Sequence, residues 1–132
     1  MPVELEMILR ILLAMVLGSI IGFQRSKAEK PAGMRDLTLI STGSALFTVV
    51  SVYGFDVDPA RIAAGIVTGI GFLGAGAIIN RGEGGIVRGL TTATTIWVAA
   101  GIGLAAGAGM YIISSVTTFL VLVVLLIHRH SA

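Results

Sequence analysis

The sequence has no cysteine in its 132 residues. Disulfides, thiolate nucleophiles and cysteine metal sites are therefore excluded, and the redox compartment leaves no trace. Charge is scarce too. Asp, Glu, Lys and Arg make up 12% of the chain, against about 25% in an ordinary soluble domain. Nine basic and seven acidic side chains cannot cover an apolar core of this size with a polar surface. Enzyme motifs are missing as well: there is no HExxH, no Walker loop and no GxSxG. The glycines of residues 69–76 do not match the dinucleotide fingerprint, and no strand precedes them. The two histidines, His128 and His130, sit alone in the tail and do not make a metal site. The expectation is a protein with no catalytic set, no cofactor and no metal centre, and not an enzyme.

What is present is hydrophobic. Apolar residues make up 55% of the chain, and they fall into five runs, at about 5–23, 37–55, 62–79, 90–107 and 110–127. Each is close to the roughly 20 residues that a membrane-spanning helix needs. The first run holds Arg10, with Glu6 four residues earlier, so the two can pair along one face while Arg10 snorkels outward. It opens on Glu4 and Glu6 instead of a basic cluster and is followed by no small-residue cleavage site, which argues against a signal peptide. The pI near 9.5 by itself would suit nucleic-acid binding, but the basic residues stand at the ends of apolar runs, where topology signals stand. The expected fold is all-α and integral to the membrane, one domain over 1–132, with five transmembrane helices in a bundle.

Orientation follows from Lys and Arg. Arg25, Lys27, Lys30, Arg35, Arg81, Arg88 and Arg129 fall on one side, and Arg10 and Arg61 on the other. Seven against two predicts an outside N-terminus and a cytoplasmic C-terminus. Between the third and fourth runs, four glycines within residues 80–89 predict a loop or an interfacial element. Asp58 before Pro59 reads as a helix cap, and threonines at 91 and 92 read as capping residues of the fourth helix. The link Ala108-Gly109 is short enough to make helices four and five antiparallel neighbours. The hydroxyls of the second run, Ser41, Thr42, Ser44, Thr48 and Ser51, can bond back to their own helix or across to another.

The third run draws the eye. Gly65, Gly69, Gly71, Gly74 and Gly76 leave it smooth on more than one side, as suits a central helix packed closely against several partners in a bilayer. Gly18 and Gly22 form a second small-xxx-small pair near the end of helix one. Polar residues that remain gather at span ends on the predicted cytoplasmic side: Arg25, Arg35, Asp36, Asn80, Arg88, Thr91 and Thr92. The plainer reading makes these arginines topology signals on lipid phosphates. The sharper one has them line a single cytoplasm-facing polar site, with Arg35 and Asp36 paired to neighbours and the threonines adding hydroxyls. Trp97 reads as a packing or interface residue.

Five stretches taken together resemble the membrane domain of the MgtC/SapB family of bacterial inner-membrane proteins. They are Gly18-Ser19-Ile20-Ile21-Gly22-Phe23-Gln24-Arg25, Pro31-Ala32-Gly33-Met34-Arg35-Asp36, Asp58-Pro59-Ala60-Arg61-Ile62-Ala63, Gly69 to Gly76, and Val87-Arg88-Gly89-Leu90-Thr91-Thr92-Ala93 followed by Trp97. Gln24 departs from the pattern, standing where the family often has glutamate. Some members of that family carry a soluble cytoplasmic C-terminal domain, and this sequence, stopping at Ala132, is expected to be the membrane domain alone. The resemblance implies a link to growth under magnesium limitation, to virulence in intracellular pathogens and to restraint of the membrane ATP synthase.

The residues themselves favour a regulatory or interaction protein. Magnesium takes oxygen ligands, usually carboxylates, and sheds water reluctantly, yet the four cleanest runs contain no acidic residue. An oligomeric transporter or channel for magnesium or another cation is the alternative. The expected partners are the lipid bilayer, further copies of the chain and another membrane complex, with no nucleic acid.

Overall fold

A computed structural model describes residues 2–55, 58–79 and 89–127. It holds five helices: α1 (Val3–Lys27), α2 (Met34–Gly54), α3 (Ala60–Ile79), α4 (Leu90–Gly107) and α5 (Tyr111–Ile127). There is no strand among the described residues. The helices α1 to α4 are long and apolar enough to cross a membrane. The fifth has 17 residues, or about 25 Å of rise, against roughly 30 Å for the hydrocarbon core.

The helices α1 and α2 run further than their apolar stretches. Charged ends beyond a bilayer still gain from intrahelical hydrogen bonds, so hydropathy marks the membrane boundary and not the end of the helix. Arg25 and Lys27 thereby fall in the last turn of α1, and Asp36 in the first turn of α2, each where the helix dipole favours its charge. Only residues 28–33 connect the two helices.

That connection closes α1 with a Schellman turn. Lys30 N–H donates to the Arg25 carbonyl at 2.9 Å, and Glu29 N–H to that of Ser26 at 3.0 Å. The residue that must turn left-handed is Glu29, at φ 56°. The α4–α5 link uses the same motif, with Met110 N–H on the Ala105 carbonyl and Gly109 N–H on that of Ala106, but there the left-handed residue is glycine, at φ 85°. A side chain in this conformation costs about 1–2 kcal/mol. Glu29→Gly is therefore expected to raise the thermal midpoint of the detergent-solubilised protein, by the equivalent of roughly 1 kcal/mol. An unchanged or lower midpoint would count against the turn described.

The bundle is organised around α2 and α4, not α3. The fourth helix touches the other four, whereas α3 meets α4 and a short stretch of α2 and reaches neither α1 nor α5. Small residues set the spacing. A Cβ on Gly18 would lie 2.6 Å from the Ser41 Cβ, and one on Gly22 would lie 2.5 Å from the Met34 Cα, so α1 rests on α2 nearly backbone to backbone. On the far side of α2, a Cβ on Gly103 would approach the Ser41 carbonyl oxygen to 2.2 Å. Ser41 is thus clasped between α1 and α4, and its Oγ donates to the Ala14 carbonyl at 2.7 Å. Ser44 Oγ crosses to the Ala100 carbonyl at 2.7 Å, while Thr48 bonds back to Ser44. Leu17, Ile21, Leu37, Ile96, Ala99 and Ile102 fill the core between these contacts.

The glycine helix is therefore a correction. Around Gly65, Gly69, Gly71 and Gly76 an added Cβ would meet nothing within 4 Å, and at Gly74 it would make ordinary contact with Ala93 at 3.6 Å. A bilayer accepts an apolar helix face whether or not a protein partner covers it, so smoothness alone does not predict burial. Capping needs revision as well. Asp58 does cap, accepting from Ala60 N–H at 3.0 Å. Thr91 and Thr92 do not: Gly89, at φ 81°, is the N-cap of α4 and no side chain caps it. Both threonines lie two and three residues past the cap position, inside the first turn, where their own N–H groups are among the free ones.

Arg10 does more than pair along its own helix. Its Nη2 donates to Glu6, as the spacing predicts, but Nη1 reaches the Gly107 carbonyl at the end of α4, at 3.1 Å. The guanidinium also stands 5.1 Å from the centre of the Tyr53 ring. A carbonyl left over at a helix C-terminus attracts a cation from whichever helix can supply it. One side chain so ties α1, α2 and α4 together at the end of the bundle opposite Arg25.

Candidate functional site

Among the described residues, Arg25 is the one charged side chain buried in the bundle, 3% exposed. The helix α1 carries it there because Ile21 and Gly22, one turn earlier, lie buried on the face that meets α2 and α4. Its Nη2 donates both to the Pro31 carbonyl at 2.7 Å and to Thr92 Oγ1 at 2.5 Å. One guanidinium therefore joins the end of α1, the 28–33 connection and the first turn of α4. Its Nε has no hydrogen-bond partner among the described residues.

Next to this arginine is a cavity of about 850 Å³ between α2, α3 and α4. Pro31 and Thr92, the two groups that hold Arg25, line it together with Asp36. The rest of the wall is apolar: Leu39 and Ile40 from α2, Phe72 and Leu73 from α3, and Ile96 from α4. Leu39, Phe72 and Leu73 are exposed, so the cavity opens sideways between α2 and α3. It exists because α3 touches α2 over only a short stretch, with Ser51 donating to the Pro59 carbonyl near their opposite ends at a long 3.5 Å.

The predicted polar cluster is brought together in part. Arg25 and Thr92 are bonded, and Asp36 shares the cavity wall with Thr92. Arg35 and Thr91 are exposed. The expected pairing of Arg35 and Asp36 with neighbouring charged groups is not made, since the ion pair among the described residues is Arg10 with Glu6. Neighbours on one helix turn point about 100° apart, which sends Arg35 outward while Asp36 reaches the cavity. Asn80, Arg88, His128 and His130 lie outside the described residues. Trp97 is 58% exposed on the outer stripe of α4. Sequence reasoning missed Gly103 and Gly107, although they stand four apart like Gly18 and Gly22, and it missed Arg10 as a cross-link because nothing local identifies Gly107 as its acceptor.

A model of the MgtC family matches residues 11–132. The chain is 48% identical over 129 residues to the "Putative magnesium transporter YhiD" of Escherichia coli K12, an alignment covering 89% of this chain and 59% of that protein. It is 44% identical over 125 residues to the "Protein MgtC" of Salmonella typhimurium, covering 95% of this chain and 53% of the relative. A Haemophilus influenzae protein of uncharacterised role is 40% identical over 132 residues, 92% of this chain and 55% of that one. The chain thus spans little more than half the length of the curated relatives it matches. No solved structure matches it.

Proposed function

This chain belongs to the MgtC family of membrane proteins, and from that premise we propose that it works as a regulatory or interaction protein of the bacterial inner membrane, tied to magnesium supply. The observation that carries this reading is the chemistry of the interior. Buried Ser41, Ser44, Thr48 and Thr118 spend their hydroxyls on backbone carbonyls, and Thr92 accepts from a guanidinium. No carboxylate is buried among the described residues, and the buried charge is positive. A divalent cation entering this bundle would find few free oxygens and a fixed cation in its way. Such an interior suits a rigid scaffold better than a conduit.

The proposed orientation, with an outside N-terminus and a cytoplasmic C-terminus, rests on the seven-to-two bias of basic residues and on α5 also crossing the bilayer. A second reading has its own support. The Escherichia coli relative is named a putative magnesium transporter, and the open glycine faces of α3 would let several copies assemble around a shared path.

Flux measurement in proteoliposomes holding a magnesium-sensitive dye separates the two. The expected result is magnesium entry no faster than in protein-free vesicles, together with a membrane complex of constant stoichiometry recovered from bacteria. Saturable magnesium entry that Asp36→Asn abolishes would overturn the regulatory reading in favour of transport.

A further inference from the structure

The sideways cavity sets a problem of its own, whichever of those functions holds. Its walls are Leu39, Ile40, Phe72, Leu73 and Ile96, which give water nothing to bond. It opens between two membrane-crossing helices at residues that face the bilayer, with Phe72 80% exposed. At about 850 Å³ it falls within the roughly 300–1,000 Å³ of built ligand pockets. At its polar end are Asp36, the one charged group of the lining, and Thr92. Asp36 makes no ion pair with any described residue. Lys30 adjoins the lining residue Pro31 in sequence, and Arg25 stands directly behind Pro31 and Thr92.

We propose that this groove is a binding site for a phospholipid with a primary-amine headgroup. One acyl chain lies along the apolar wall, and the ammonium donates to Asp36. The charge pattern selects the head. A carboxylate on the wall disfavours a purely anionic lipid, and the basic residues around it favour a phosphate close by. A zwitterion answers both. The ammonium has to carry N–H groups, because a charge-assisted hydrogen bond to a carboxylate needs a donor and a quaternary choline has none.

The test is native mass spectrometry of the purified chain in detergent, titrated in turn with phosphatidylethanolamine, phosphatidylcholine and phosphatidylglycerol of the same acyl chains. The expected result is retention of one phosphatidylethanolamine with about tenfold preference over the other two, the size of one charge-assisted hydrogen bond. Asp36→Asn, at an exposed position, should bring that preference down to near one. Gly76→Leu should displace all three lipids, since Gly76 lines the groove and an added Cβ there meets nothing within 4 Å. Both variants should keep the wild-type thermal midpoint, which separates loss of the site from loss of the fold. Equal retention of the three lipids by the wild type would mean annular lipid only and would overturn the proposal. So would lipid binding unmoved by either variant, or cysteine cross-links showing a second protein helix seated between Leu39 and Phe72.

Discussion

Gly103→Val should sharply lower both the thermal midpoint and the yield of folded protein. A Cβ at this position would stand 2.2 Å from the Ser41 carbonyl oxygen and 2.9 Å from its carbon, and the obstacle is backbone, which no rotamer change can move. Relief requires α4 to back away from α2, which would loosen the packing of Ile96, Ala99 and Ile102 against Leu37. Overpacking commonly costs about 1–3 kcal/mol. With backbone as the obstacle, the upper end of that range or beyond is expected. Stabilities of this kind total only about 5–15 kcal/mol, so the thermal midpoint and the yield from membranes should both fall sharply. Gly69→Val is the control. Nothing lies within 4 Å of a Cβ there, and its midpoint should stay near that of the wild type. Equal damage from both substitutions would place a partner on α3 and overturn the account of which helix is central.

Arg25→Lys is expected to harm the protein more than Arg25→Met. The guanidinium serves the Pro31 carbonyl and Thr92 Oγ1 together from one nitrogen while 3% exposed. A lysine keeps the charge, but its strongly hydrated ammonium ends one bond short of Nη2, so that charge is left buried and poorly bonded. An uncompensated buried charge costs on the order of 3–5 kcal/mol, and a loss of roughly 3 kcal/mol is expected for lysine. Methionine loses the same hydrogen bonds but has no charge to desolvate, and its flexible stem fills the space. The thermal midpoints should therefore fall in the order arginine, methionine, lysine. If lysine is silent, Arg25 is wet and acts as a plain positive-inside signal, and the buried site described here does not exist.

Some features were legible in residue order because their physics is local. Apolar runs of near-spanning length predict α1 to α4 to within a few residues, since a bilayer forces a helix to satisfy its own backbone. Glu6 and Arg10 pair at four-residue spacing, and Asp58 caps α3 two residues on. The Arg25–Thr92 bond was legible only as a grouping at one end of the bundle, because a sequence separation of 67 carries no register information. Gly103 and Gly107 illustrate the opposite failure. Their spacing equals that of Gly18 and Gly22, but the denser glycines of α3 outweighed them, and density says nothing about which face meets a partner.

By itself the sequence determined the class and the pieces: a membrane protein of the MgtC family, all helical in its described residues, with its charges at helix ends. Hydropathy and local spacing act within one helix, and each of these features is a property of one helix. Only the tertiary structure decided that α4 is central and α3 peripheral, that Arg10 closes α4, and that Asp36 and Thr92 share a cavity with Arg25 behind it. These depend on how helices rotate about their axes and which neighbours they choose. In a bilayer, lipid competes with protein for every apolar face, so the choice falls to close backbone approach and to a few polar bonds between residues far apart in the chain.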